Sequence, residues 1–147
     1  MNTKKYSISA MPETATLLFK YNDGGRSAYF RASNVGDCVT RAVAIATGRD
    51  YKEVYNLFKK TSKSSPRDGV KISVCRKVIA SLGGQWVACM GIGTGCTTHL
   101  RVGEIPMKGR IIAYVSKHIT AVIDGVINDT YDPSRDGTRC VYGYWKF

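Results

Sequence analysis

Cys38 stands where a glycine-containing turn, Asn34-Val35-Gly36-Asp37, runs into an apolar segment, Val39 to Thr47. That pattern predicts a helix beginning at the cysteine. A thiol at a helix N-terminus meets backbone N–H groups that lack intrahelical acceptors, and the positive end of the helix dipole. Both favour the thiolate, the nucleophilic form of the side chain. Eighty residues later, His118 opens the run His118-Ile119-Thr120-Ala121-Val122-Ile123-Asp124-Gly125-Val126-Ile127-Asn128-Asp129-Thr130. A histidine beside a cysteine can take its proton as a general base and return it as an acid. A carboxylate on the far side of the imidazole fixes the tautomer and stabilises the imidazolium.

The elements that must position these groups can be worked out from residue numbers. Asp124-Gly125 is the strongest two-residue hairpin signal in the chain. With these as the central turn residues, Ile123 pairs with Val126, Val122 with Ile127, Thr120 with Asp129 and His118 with Tyr131. Directly opposed residues share a face of the sheet. His118, Thr120, Val122, Ile127, Asp129 and Tyr131 are therefore expected on one face, and Asn128 on the other. Asp129 becomes the diagonal neighbour of His118, roughly 7–8 Å away between backbones, a gap that a carboxylate and an imidazole can close. A one-residue change of turn length would separate them onto opposite faces. A histidine satisfied at a sheet edge is the plainer alternative.

The totals set bounds. The chain has 147 residues, of which 44% are hydrophobic, and carries a net charge of +11. This suits one globular domain, 1–147, with a real core. No apolar run approaches a membrane span, and Met1 to Ala10 lacks the apolar segment of a signal peptide, so a cytoplasmic protein with no membrane partner is expected. Five cysteines, Cys38, Cys75, Cys89, Cys96 and Cys140, show no close pairing. Without a secretory signal they are expected as free thiols rather than a disulfide framework. Cys96 and His99 could supply two metal ligands, but a second pair at regular spacing is missing, and no metal is expected. The positive charge favours acidic partners and allows nucleic acid, although it is spread along the chain as on any solvated basic surface.

Residues 1–15 read as a loose lead-in. Thr16 to Tyr21 reads as a strand, Asn22-Asp23-Gly24-Gly25 as a turn and Ser27 to Arg31 as a returning strand, together a hairpin. The helix from Cys38 ends at Gly48. Asp50-Tyr51-Lys52-Glu53 is a capping box opening a second helix, with Val54, Leu57 and Phe58 turned inward. A third helix carries Val74, Cys75, Val78, Ile79 and Leu82 at helical spacing and stops at Gly83-Gly84. Gln85 to Met90 reads as a strand. Gly91-Ile92-Gly93-Thr94-Gly95 reads as a loop that lacks the Gly-Lys-Ser/Thr of a phosphate-binding loop. Arg110 to Val115, His118 to Ile123 and Val126 to Tyr131 read as three strands, with a last one in Thr138 to Trp145. The class is α+β, with N-terminal helices packed on an antiparallel β-sheet.

Cysteine at the start of a buried helix, histidine at the start of a late antiparallel strand and a polar residue on the next strand form a known order. It resembles the papain-like cysteine peptidase superfamily in its small bacterial and bacteriophage-encoded versions. The resemblance rests on Asp37-Cys38-Val39-Thr40-Arg41-Ala42 with Gly48 and Tyr51, and on His118 to Val126 with Asp129-Thr130. It implies a papain-like fold, Cys38 as nucleophile, His118 as general base and then acid, and Asp129 as orienter. Papain-like enzymes carry a glutamine before the cysteine that helps bind the oxyanion. This chain has Ser33 and Asn34 there, and Asn34 is the amide that could join the backbone N–H of Cys38. An aspartate replaces papain's usual asparagine, and the glycine and tryptophan neighbours of papain's cysteine are absent.

The reading that follows is a thiol hydrolase or transferase acting on an amide, thioester or isopeptide bond of a protein or peptide substrate, a host protein among the candidates, without cofactor. It would work in the cytoplasm, that of the host cell if the chain is phage-encoded. The alternative is a non-catalytic binding protein on the same fold that blocks a host protein or binds nucleic acid. Tyr29, Tyr114, Tyr131, Tyr142 and Tyr144 fall in predicted strands and suit binding hot spots, though strands favour tyrosine anyway. A nucleic-acid binder driven by charge alone would show steep salt dependence.

Overall fold

The computed structural model describes residues 16–31, 36–63, 65–66, 69–91 and 93–147. The expected lead-in, 1–15, and the oxyanion candidate Asn34 lie outside the described residues.

Three helices form where the apolar spacing predicts them. Helix α1, Cys38–Thr47, buries Val39, Ala42, Val43 and Ala46 and ends at Gly48, whose φ of 70° suits the residue without a Cβ. Helix α2, Tyr51–Ser62, starts at Asp50, whose carboxylate accepts the N–H groups of Lys52 and Glu53. The reciprocal half of the capping box is not made, because the Glu53 carboxylate takes Arg49 Nη1 at 2.7 Å instead. Helix α3, Ile72–Ser81, buries Cys75, Val78 and Ile79.

Six strands form one sheet: β1 Leu18–Tyr21, β2 Gln85–Ala88, β3 Arg110–Val115, β4 His118–Ile123, β5 Val126–Asp129 and β6 Val141–Lys146. Their order is β1-β5-β4-β3-β6-β2. The β4–β5 hairpin has the expected register, Ile123 with Val126, Val122 with Ile127 and Ala121 with Asn128. Asp124 and Gly125 both take positive φ, 49° and 78°, as the tight turn requires. Strand β3 pairs antiparallel with β4 on one side and β6 on the other.

The N-terminal hairpin does not form. β1 pairs parallel with β5, so the sheet is mixed rather than antiparallel, while the α+β class stands. The returning strand is replaced by a 3₁₀ turn at Arg26–Ala28. Asp23 causes this locally, since its carboxylate accepts the N–H groups of Gly25 and Ser27 at 2.9 and 3.0 Å and curls the chain. Arg26 completes it from a distance. Its side chain is driven inward, leaving the residue 5% exposed, to meet Asp37. Tyr29 consequently lies outside any strand.

Both faces of the sheet are covered. Val39, Val43, Phe58 and Ile79 of the helices pack on Ile112, Ile119, Ala121 and Trp145. Leu17, Leu100 and Ile105 pack on Ile111, Val115, Val122, Ile127 and Val141 from the other side. The alternation of Ile111 and Ile112 between these two layers shows why the strand reads as a continuous apolar run. Among the described residues no helix is long and apolar enough to cross a membrane.

Candidate active site

Cys38 is the first residue of α1 and is half-buried. Its predecessor Asp37 is the N-cap but makes no side-chain capping bond. Its carboxylate is used elsewhere: Oδ1 receives Arg26 Nη1 at 3.2 Å and Arg41 Nη1, and Oδ2 receives the Tyr51 hydroxyl at 2.7 Å. A capping carboxylate would offset the positive helix end. With Asp37 turned away, that end is left to act on the thiol.

His118 opens β4, and its Nε2 lies 2.7 Å from Asp129 Oδ2. The same oxygen accepts the Thr120 hydroxyl at 2.7 Å, which shows Thr120 and Asp129 on one face as the register requires. Asp129 Oδ1 accepts the Thr130 N–H at 2.7 Å and Arg41 Nη2 at 3.3 Å. With Nε2 engaged by the carboxylate, Nδ1 is the ring nitrogen left for Cys38, which lines the same cavity as His118, and the two groups shift each other's ionisation. The Tyr131 ring lies against the imidazole, centroid to centroid 5.1 Å.

The charges reinforce one another. Burial is the largest influence on the Cys38 thiol and opposes its ionisation. The hydrogen bond and charge of His118, the Ile119 N–H and the Arg41 charge outweigh it, and the thiol titrates below its ordinary value. Burial likewise opposes the His118 cation, but Asp129 and Cys38 raise the imidazole to about 9. Burial opposes the Asp129 carboxylate too, yet His118, Thr120 and the Thr130 N–H hold it below the usual carboxylate value. All three directions favour thiolate, imidazolium and carboxylate together.

A cavity of about 520 Å³ opens on Cys38 and His118. Its walls include Val70, Ile72, Tyr114 and Tyr142, with Lys117 at the rim. Lys117 occupies the β3–β4 turn at φ 57°, directly before His118. Arg139 steadies that turn by donating to the Ser116 carbonyl and, at 3.3 Å, to the Pro133 carbonyl.

The remaining cysteines separate clearly. Cys75 is buried on α3, and burial, the largest cause, pushes its thiol up to about 12. Burial also raises Cys89. The expectation of free thiols throughout fails at Cys96 and Cys140, which form a disulfide across 44 residues. The cause is tertiary: His99 and Cys140 form an antiparallel bridge that lays residues 96–99 beside the approach to β6. The Cys96–His99 pair is therefore not a free pair of metal ligands.

Cys38, His118 and Asp129 are brought together, whereas Arg26, Arg41, Tyr51 and Thr120 were not singled out from sequence as site residues. The Asp37–Arg41 spacing of four was a visible signal, since residues i and i+4 meet on a helix. Nothing in the sequence marks Arg26. Comparison with family models, with curated proteins and with solved structures finds no match for this chain.

Proposed function

We propose that this chain is a papain-like thiol hydrolase or transferase acting on an amide, thioester or isopeptide bond. The observation that carries the reading is the 2.7 Å bond between His118 Nε2 and Asp129 Oδ2, which leaves the other ring nitrogen for Cys38. In this reading the Cys38 thiolate attacks the substrate carbonyl while His118 holds the proton. The oxyanion forms against the Cys38 N–H at the helix end, with the Asn34 amide as second donor on sequence grounds. His118 protonates the leaving amine or thiol, and an acyl group remains on Cys38 Sγ. His118 then takes a proton from water, or from an acceptor amine, and the acyl group is released. The apolar and aromatic walls of the cavity suit a substrate with an apolar group beside the reacting carbonyl. The proposed place of action is the cytoplasm, of a host cell if the chain is phage-encoded.

The test is a panel of peptide amides and thioesters, with the protein analysed by mass spectrometry. A transient acyl adduct on Cys38 and loss of turnover in Cys38→Ala are expected. No adduct with any substrate, together with Cys38 labelling by iodoacetamide no faster than Cys89, would defeat the proposal.

A second reading is favoured by the edge of the sheet. Leu18 and Tyr21 on β1 are 73% and 63% exposed, an apolar edge of the kind a protein partner can cover. A non-catalytic binder of a host protein or nucleic acid would keep its partner after Cys38→Ala, and a nucleic-acid partner would be released steeply by salt.

A further inference from the structure

A second cysteine, the second histidine and a carboxylate meet away from the Cys38 cavity. Cys96 Sγ lies 3.7 Å from Nε2 of His99. The other ring nitrogen, Nδ1, lies 3.0 Å from Glu104 Oε1, and that oxygen also accepts the His99 backbone N–H at 2.9 Å. Arg101 Nε binds Glu104 Oε2 at 2.8 Å. Burial opposes the Glu104 charge most, but the bonds from His99 and the charge of Arg101 hold the carboxyl below its usual value. An ionised carboxylate only accepts hydrogen bonds, so Nδ1 carries the hydrogen, and in the neutral imidazole Nε2 turns its lone pair to the sulfur.

A base with a fixed tautomer is thus aimed at Cys96, and in the disulfide form it has no proton to take. The two sulfurs also differ in access. Cys96 is exposed, while Cys140 is half-buried with Met90 Sδ at 3.8 Å. A bridge that served only to hold the chain together would need neither the base nor the open sulfur. Cys96 is in the disulfide and His99 Nδ1 is taken by Glu104, and among the described residues no group of His, Cys, Asp and Glu is placed to hold a metal ion, so the cluster is not read as a cation site.

We infer that Cys96–Cys140 is a reversible thiol–disulfide couple that exchanges with small thiols and disulfides, with Cys96 as the exchanging sulfur and His99 as its base. In the oxidising direction His99 Nε2 takes the Cys96 proton. The Cys96 thiolate attacks one sulfur of a small disulfide RSSR, forms Cys96–S–S–R and expels RS⁻, which leaves with that proton as RSH. The Cys140 thiolate then attacks Cys96 Sγ, closes the bridge and expels the second RS⁻, which takes the proton lost by Cys140. Two protein thiols are oxidised and one RSSR is reduced to two RSH. In the reducing direction an incoming thiolate attacks the open Cys96 sulfur, Cys140 leaves, and a second thiol releases Cys96. The protein's reactive form is the thiolate, and its attack is fastest when it is formed near ambient pH.

The test uses the folded full chain. It is reduced with dithiothreitol, freed of reductant and alkylated with iodoacetamide at pH 7.5, with each cysteine read by mass spectrometry. Cys96 is expected to label several-fold faster than Cys140 and Cys89. His99→Gln is expected to slow Cys96 roughly tenfold, as loss of a positioned base would, while Cys140 and Cys89 keep their rates. Glu104→Gln, which frees the imidazole, is expected to slow Cys96 in the same direction. Oxidised glutathione should restore the bridge in the native protein. Reduction that requires denaturant, or His99→Gln and Glu104→Gln both leaving the Cys96 rate unchanged, overturns the inference. A uniform slowing or quickening of all cysteines also overturns it, because that reports altered structure rather than a lost base.

Discussion

Cys38, His118 and Asp129 come from three elements, α1, β4 and β5, while Cys96, His99 and Glu104 lie within one short loop segment. The residue types are nearly the same, and the surroundings are opposite. At the first group His118 and Asp129 are buried, and two arginines match two aspartates: Arg26 and Arg41 face Asp37, and Arg41 also reaches Asp129. With those four charges balanced, Cys38 and His118 can pass between neutral and ion-paired forms without leaving a net charge in the site. At the second group the side chains of His99 and Glu104 are each about a third exposed, at 32% and 30%, and solvent screens what they share. The comparison teaches that the same residue types make different sites according to how far water reaches them. At the buried group, Asp129 and Cys38 raise His118 to about 9 against the opposing effect of burial.

The sharpest way to break this contrast is Asp37→Ala. It strands two buried guanidinium groups and a tyrosine hydroxyl, and a loss of about 3–5 kcal/mol in urea unfolding is expected. If it costs no more than a change at Glu104, the distinction between a buried and a screened charge group fails. Next in size is His118→Ala, which removes both the hydrogen bond and the cation beside Cys38. Iodoacetamide labelling of Cys38 at pH 7 is expected to slow by about tenfold or more. In the unreduced protein Cys75 should stay unlabelled, Cys89 should label slowly, and Cys96 and Cys140 should not react at all.

The pH dependence follows from the directions of shift. The Cys38 thiolate persists below the ordinary thiol value and is lost as pH falls through its lowered value; the His118 cation persists until pH rises through about 9. The ion pair fills the window between these limits. Asp129→Asn removes the charge that helps raise His118, so the upper limit should move down, read from the His118 ring proton by NMR in a chain with only two histidines. Asp129 itself, held below the usual carboxylate value, contributes stability that is full above about 3.9 and lost as pH falls through its folded value, so the variant should also flatten the acid limb of unfolding. The smallest effect is expected at the open group, where Glu104→Gln should cost under about 1 kcal/mol in unfolding.

What could be read from the sequence was local or carried by a firm period. The three helices follow from apolar spacing, and the β4–β5 register follows from Asp124-Gly125, which is why residue numbers alone place Thr120 and Asp129 on one face. The parallel pairing of β1 could not be read this way. Its four residues are all exposed and carry no inward-facing pattern that would select a neighbour. Arg26 was likewise illegible, because only its meeting with Asp37 explains an arginine buried near a turn. The Cys96–Cys140 bridge depends on residues 96–99 lying beside the approach to β6, and a separation of 44 residues gives no hint of that.

The separation of eighty positions between Cys38 and His118 has a consequence in time. The segment between them contains α2, α3, β2 and β3, so a growing chain exposes the cysteine well before its histidine exists. At ordinary synthesis rates the interval is roughly 4–16 s. Through that interval Cys38 has neither imidazole nor sheet beside it and behaves as a common thiol. The shift in its chemistry arrives only when β4 and β5 have paired and α1 has settled on them. The ribosome, its nascent chain and the surrounding folding machinery therefore meet an ordinary thiol, and the thiol of lowered pKa appears only in the folded molecule.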